Sequence, residues 1–397
     1  MRALHLIAAL FLAWAATAAP APAATAGELR GTGDLGIIVE RADGAVVVVD
    51  TTTRTMLGRI EGLGDLSHAS AVFARDQRYA YVFGRDGGLT KLDLLELRIA
   101  RRIVQAGNAV GGAISDDGTL VAVSNYVPGG VKIFDAATLA PVADIAAVTA
   151  ERSEPSKTVG LVDAPGRRFV FALYEAGQIW MADFSAPGAP VVTSLGRAGD
   201  QPYDGLISGD GRHYIAGLFG EDGLAHVDLW DDKPVIRRIL DRYGKGEEKL
   251  PVYKMPHLEG WALAGDRFIL PAVGRHEVLA MDARTFEEIG RVAVHGQPVF
   301  AVARPDGRQV WVNFAHPLND TVQVIDVPSL KVIHEFTPGP AVLHLEFTPR
   351  GHQVWISVRD ADRVDIYDAR SFAKLGELAV RKPSGIFFTA RANRTGL

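Results

Sequence analysis

The stretch LSHASAVFARDQRYAYVFGRDGGLTKLDL, Leu66 to Leu94, decides the fold. It sets out a short strand (Ala71 to Ala74), a polar turn (Arg75 to Arg78) and a strand alternating aromatic with small residues (Tyr79 to Phe83). A Gly-rich turn (Gly84 to Gly88) and a third strand ending in Asp93 follow. Alternation with period two is the mark of a strand, because successive side chains leave it on opposite faces. One histidine, His68, stands just ahead of the unit.

The apolar-x-Asp ending recurs along the chain. VVVVD ends at Asp50, LTKLD at Asp93, VKIFD at Asp135, IWMAD at Asp183, LAHVD at Asp228, VLAMD at Asp282, VQVID at Asp326 and VDIYD at Asp368. The spacings of 43, 42, 48, 45, 54, 44 and 42 residues are those of four-stranded propeller blades rather than helical solenoids. Turns such as Asp117-Gly118, Asp210-Gly211 and Asp306-Gly307 join strands within the units. Segments such as DTTTRTMLGRI and DARTFEEIGRV supply an outer strand after the Asp.

The first unit, Gly36 to Ile60, lacks its leading strand, and the chain finishes with an extra one, Ser384 to Ala390. Adding that strand to the first blade closes the ring and removes an open sheet edge. The pattern predicts an all-β chain, a single eight-bladed β-propeller over residues 27–397 closed by a C-terminal strand. Polar inserts at Gly244 to Leu250 and Glu151 to Ser156 are expected as loops on one rim.

With 397 residues, 48% hydrophobic and 22% charged, the chain has material for a large core. Arg2, an apolar run from Leu4 to Ala15 and the small-residue stretch ATAAPAPAATAG form the pattern of a secretory signal, assigned to residues 1–26. The expected product is periplasmic and soluble. The apolar run is too short to span a bilayer, and no other run approaches the roughly twenty residues required. The lack of cysteine excludes a lipoprotein anchor, disulfides, iron–sulfur centres and a covalently attached c-type haem. A net charge of -5 leaves no electrostatic footprint for nucleic acid.

Residues entering the innermost strands of a propeller converge on one mouth of its channel. His68 precedes Tyr79 by eleven residues, and His257 in KMPHLEGW precedes Phe268 by the same eleven. Tyr203 and Asp204 fall in that place in the fifth unit, to within a residue. All four are therefore expected to face one cavity. Histidines so placed also cap strands or bond loop carbonyls, and both readings stand at this point. An imidazole facing the channel suits iron in a planar macrocycle, with an opposing His, Tyr or carboxylate to handle protons. Arg85, Lys157 and Arg359 could pair with macrocycle carboxylates or be surface charges. Tyr126 and Trp261 could meet the ring face or pack in the core.

His213, His226, His276, His295, His316, His334, His344 and His352 show no H-x-x-x-H or H-E-x-x-H spacing, and most are expected on strand surfaces or turns. GTGDLG, Gly31 to Gly36, formally satisfies G-x-G-x-x-G but follows no strand and opens no helix. No G-x-S-x-G elbow is present.

HASAVFARDQRYAYVFGRDGGLTKLDL, KMPHLEGW, GQPVFAVARPDGRQVWVNF and FTPRGHQVWISV resemble the haem d1 domain of cytochrome cd1 nitrite reductase. The resemblance runs unit for unit across nearly the whole mature chain. Without the cysteine-bearing cytochrome c part, the chain is similar to the periplasmic haem d1 biogenesis members of that family. The resemblance implies an iron-bearing haem d1, or a late tetrapyrrole precursor, held in the channel. It puts His68 on the proximal iron ligand and His257 on one of two distal histidines. Tyr203, with Asp204 beside it, takes the place of the other, and Arg85 falls on an arginine near the macrocycle. Ala71 stands where the reductase has a basic side chain.

Those departures, and the absence of a second haem to deliver electrons, point away from nitrite reduction. The expected role is a late maturation step, an oxidation or side-chain modification in which His257, Tyr203 and Asp204 handle protons. Electrons would leave to a partner or a diffusible acceptor, and NAD has been considered for this family. The alternatives are a carrier that hands the macrocycle on without changing it, and a scaffold with no cofactor. The expected partners are the tetrapyrrole itself, other haem d1 maturation proteins and cytochrome cd1 nitrite reductase.

Overall fold

A computed structural model describes residues 30–243, 260–272 and 275–394. In it the repeat aspartates each end a strand, as in Ala45–Asp50, Gly88–Asp93 and Arg363–Asp368. Asp50 accepts a hydrogen bond from the Thr53 amide at 2.9 Å, Asp135 from Thr138 at 2.7 Å, Asp282 from Thr285 at 2.9 Å and Asp368 from Ser371 at 2.7 Å. The carboxylate closes the turn into the outer strand, and that local bond is why Asp recurs where the period demands a turn.

Among the described residues the strands form eight four-stranded sheets. Seven take four consecutive strands. The first blade instead combines Leu35–Glu40, Ala45–Asp50 and Thr55–Ile60 with Pro383–Phe388 from the other end of the chain. Ile37 lies opposite Phe387 and Ile38 opposite Ile386 in that antiparallel pairing. The closing strand expected from the sequence is therefore present, one residue earlier at its start, and its last residues turn into a short 3-10 helix, Thr389–Asn393.

The seams between blades explain why Val46 to Val49 are apolar at every position. Val46 and Val48 pack toward the second blade with Ala80 and Val82, whereas Val47 and Val49 pack toward the eighth with Trp355 and Ile366. A strand buried on both faces loses the polar half of its alternation. Eight such apolar clusters join the blades pairwise, the last of them returning from the eighth blade to the first. The eight-bladed ring is closed by burial as well as by hydrogen bonds.

The C-terminal turn locks the closure. Thr389 Oγ1 donates to the carbonyls of Thr32 (2.6 Å) and Leu35 (3.0 Å), Arg75 donates to the carbonyl of Ala392, and Arg391 pairs with Glu346, both buried.

One irregularity shapes the interior. The innermost strand slips its register against its neighbour in the first, third, fourth, fifth, seventh and eighth blades. The residues set aside by these bulges include Ser384 and Gly385, Val110, Gly160 and Leu161, Tyr203 and Asp204, Val299 and Phe300, and Leu343 and His344. A bulge places an extra side chain out of the ladder and re-aims it. Buried polar groups of the second strand hold the bulges open. Asn313 accepts from the Phe300 amide (3.0 Å) and donates to the Val342 carbonyl (3.0 Å), and Ser357 bonds both the amide (2.8 Å) and the carbonyl (3.1 Å) of His344.

No helix among the described residues is long and apolar enough to cross a membrane. The signal segment 1–26 and the insert Gly244 to Leu250 lie outside the described residues. Glu151 to Ser156 is a loop between the third and fourth blades, with a single bridge from Arg152 to Thr149.

Candidate functional site

The bulged residues are the wall of a cavity. It has a volume of about 520 Å³ and takes lining residues from seven of the eight blades. Every residue named above as set aside by a bulge lines it. His68 and Ser70 enter from the second blade, and Arg41, Arg359, His316 and Asn319 complete the polar part of the rim. Val159, Leu161, Phe300, Phe314 and Phe387 make much of the remaining surface apolar.

Of the residues singled out from the sequence, His68, Tyr203, Asp204 and Arg359 meet in this cavity. His257 lies outside the described residues. Tyr126 reaches the site through Tyr203, their hydroxyls 2.6 Å apart. Lys157 stands behind them, its ammonium 5.8 Å from the Tyr126 ring and 5.3 Å from the Tyr174 ring, and it pairs with Glu175 at 2.8 Å. Arg85 is exposed, with its charge felt by Tyr126 and Asp65. Trp261 does not line the cavity: it is buried with Tyr243 and Phe268 in the seam between the fifth and sixth blades.

Burial, then the neighbouring Tyr126 hydroxyl and Asp204 carboxylate, pushes the Tyr203 phenol well above its ordinary range. Tyr203 therefore keeps its proton at any physiological pH and presents a donor to its surroundings. Burial likewise raises Tyr126. Arg41 is shifted the other way. Burial lowers it, the like charge of Arg359 lowers it further, and Asp65 only partly compensates. Arg359 has a bidentate partner in Asp360, at 2.9 and 3.0 Å, whereas Arg41 has no ion pair among the described residues. An anionic group in the cavity would relieve that deficit.

His344 departs from the strand-surface or turn position expected for most of the remaining histidines. It is 4% exposed, on the innermost strand of the eighth blade, and its ring packs against Phe300 (5.2 Å) and Phe387 (5.6 Å). The signal for it was the register already used for Asp204. Asp204 stands ten residues ahead of Tyr214, Phe300 ten ahead of Val310 and His344 ten ahead of Val354. Arg41 had no such signal, because it follows the one strand whose inner partner comes from the other end of the chain.

The GTGDLG segment has no dinucleotide geometry. Thr32 to Asp34 form a turn and Leu35 opens a strand, so no helix N-terminus follows the glycines. No cluster of three or more metal-ligating side chains occurs among the described residues. A single axial imidazole does not need one, because a macrocycle supplies the other iron ligands itself. The cavity fits such a group by its donor set: one half-buried imidazole at the mouth, apolar walls for a ring face and guanidiniums for carboxylates.

Residues 30–392 match the Cytochrome D1 heme domain family. The chain is similar to Protein NirF of Pseudomonas aeruginosa, 60% identical over 370 residues that cover 93% of this chain and 94% of that one. It is 57% identical to Protein NirF of Stutzerimonas stutzeri, over 93% of this chain and 95% of the relative. Among solved structures it is similar to the dihydro-heme d1 dehydrogenase NirN, with a TM-score of 0.79 and 26% identity over 91% of this chain and 76% of that one.

Proposed function

The chain belongs to the Cytochrome D1 heme domain family, and from that membership we propose that its cavity binds haem d1 or a late precursor and that the protein acts in a late step of haem d1 formation. The observation that carries the reading is the convergence of His68, Tyr203, Asp204, Arg41 and Arg359 on one largely apolar cavity at the propeller axis. When bound, the group would supply iron and a conjugated ring able to exchange electrons.

The chain's own residues do the rest. His68 would hold the iron through a ring nitrogen. Arg41, and Arg359 with Asp360, hold carboxylates at the rim, where a guanidinium binds them in a fork. Tyr203 keeps its hydroxyl proton and donates it as a hydrogen bond or in a transfer, and Asp204 and His257 are the partners that accept or return a proton. Arg85, exposed outside the cavity, and Lys157, paired with Glu175 behind Tyr126, would act on the ligand only through their electrostatic potential, and Tyr126 holds the Tyr203 hydroxyl. Trp261 supports the wall from the seam rather than meeting the ring.

The similarity to NirN, whose name describes a dehydrogenase of dihydro-heme d1, favours an oxidation over a hydrolytic change. Two electrons leaving the substrate must then pass to an acceptor outside this chain, a partner protein or a diffusible species. NAD would serve chemically, and the geometry of residues 31–36 lends it no site. The partners that fit are the other maturation proteins and cytochrome cd1 nitrite reductase, met in the periplasm after removal of residues 1–26. A carrier that passes the macrocycle on unchanged is the second reading, favoured by the same cavity.

Adding haem d1 to the purified protein and following the visible spectrum tests this. A saturable shift in the wild type that is lost or altered in His68→Ala supports axial ligation, and no shift in either sinks the tetrapyrrole reading. Tyr203→Phe separates the two versions: an enzyme keeps binding and loses turnover, while a carrier hands the macrocycle on as before.

A further inference from the structure

Among the described residues four glycines line the cavity: Gly111, Gly112, Gly160 and Gly385. The fold itself requires three of them to be bare. A Cβ on Gly112 would run into the Phe83 ring and the Ala122 carbonyl, and one on Gly385 into the Phe387 ring. Gly160 has a φ of +57°, which L side chains rarely adopt, and its Cβ would stand 2.8 Å from the Tyr214 hydroxyl and 3.0 Å from the Gly205 amide nitrogen.

Gly111 differs on both counts. Its φ lies outside the left-handed region, and a Cβ there would meet one atom within 4 Å, Ser70 Oγ at 3.1 Å. That hydroxyl makes no hydrogen bond among the described residues, so it can turn aside. Neither the backbone nor the packing asks for glycine at 111, although glycine inside a strand carries an entropic cost on folding. The reason that remains is close approach to the main chain, which a strand glycine permits.

Gly111 lies on the innermost strand of the third blade, beside the bulged Val110, and Phe300 lies on the innermost strand of the seventh. Four blades separate them in a ring of eight, so they line opposite sides of the axis. We infer that Gly111 sets the clearance of the cavity across this diameter: the macrocycle seats its edge against the bare main chain of residue 111, and a side chain there excludes it. This rests on the proposed function for the identity of the ligand. A rigid, flat ring has no torsions with which to yield, so lost clearance appears as lost affinity.

The test compares stability with binding. In the ligand-free protein, denaturant melts should find Gly111→Ala as stable as wild type or more so, because alanine narrows the unfolded ensemble. Gly112→Ala, the control, should be less stable, since its methyl has nowhere to go. Titration with haem d1, followed in the visible spectrum, should show binding roughly tenfold weaker in Gly111→Ala and about a hundredfold weaker in Gly111→Leu. A Gly111→Ala protein that melts below wild type makes the glycine a structural residue and overturns the inference, whether or not any ligand binds. Should Gly111→Leu fail to fold, Gly111→Ala carries the comparison alone. Variants that bind as tightly as a wild type that does bind overturn the inference and leave the proposed function standing. A wild type that binds no haem d1 overturns the proposed function, and the inference falls with it.

Discussion

Tyr126 and Tyr203, 77 positions apart and on the third and fifth blades, join their hydroxyls at 2.6 Å beside the cavity. Tyr203 packs edge-on to Tyr174 at 5.9 Å and against Phe219 at 5.8 Å, so its ring is fixed by packing and its hydroxyl by Tyr126. Tyr126→Phe removes one bond without opening a void. It should cost about 1 kcal/mol of unfolding free energy and weaken haem d1 binding several-fold. The axial-ligand bands should stay where they are. Denaturant melts and a spectral titration check it together, and a band shift in this variant would mean that Tyr126 acts on the bound macrocycle directly rather than through Tyr203.

Arg41 is a cation held in unfavourable surroundings, lowered by burial and by Arg359. Arg41→Gln should leave the ligand-free protein as stable as wild type or slightly more so, since it removes a charge the fold does not pair. Binding of a carboxylated macrocycle should weaken roughly tenfold, the scale of one charge-assisted hydrogen bond, and its salt dependence should flatten. The two measurements must diverge. A stability loss matching the affinity loss would make Arg41 a structural residue.

The fold was legible because it is written in short range. The Asp turns and the two-residue alternation repeat eight times, and the missing first strand and surplus last strand announce the closure. The cavity was half legible. His68, Tyr203 and Asp204 came from counting residues ahead of the second strand, and the same count applied to the eighth blade reaches His344. What hid His344 is that a bulge leaves no mark on an alternation pattern: AVLHLEF reads as a strand with His on either face. Tyr126 could be noticed and not placed, because its partner comes from two blades away. Arg41 needed the knowledge that its blade is completed by Pro383–Phe388.

The Arg391–Glu346 pair is the polar bolt of the ring closure, both groups buried at 7% and 3% exposure. Arg391→Ala leaves the Glu346 carboxylate buried without that guanidinium and should destabilise the protein by about 3–5 kcal/mol. Adding Glu346→Leu to an Arg391→Met change should recover most of the loss, because the paired removal leaves no buried charge of that pair. Chemical denaturation of the single and double variants measures it. A double variant no better than the single would mean that the loss comes from the Phe387 contact, where the guanidinium lies 5.2 Å over the ring.

The pair formed by His213 and His226 is expected to set the acid limit of the fold. His226 Nε2 and His213 Nδ1 lie 3.1 Å apart, His226 tilted against Phe286 at 4.2 Å and His213 edge-on to it at 5.0 Å, between the fifth and sixth blades. Burial, then the neighbouring His213, pushes His226 down to about 4, and burial lowers His213 as well. Asp210, Asp228 and Asp231 pull the other way, and Arg212 and Arg237 add to the lowering. The folded state thus holds these rings neutral, while the unfolded chain protonates them near 6.5. Between those values the unfolded state binds more protons, so stability rises with pH. The contribution is fully present above about pH 6.5 and is lost as pH falls toward 4, with roughly 2 kcal/mol gone by pH 5 for His226 alone. His226→Gln removes the titrating group. It should be less stable than wild type at pH 7.5 for want of the inter-ring bond, and the gap should close as the pH is lowered to 5. Unfolding free energies from denaturant melts at a series of pH values decide it: converging curves place the acid sensitivity in this seam, and parallel curves place it elsewhere.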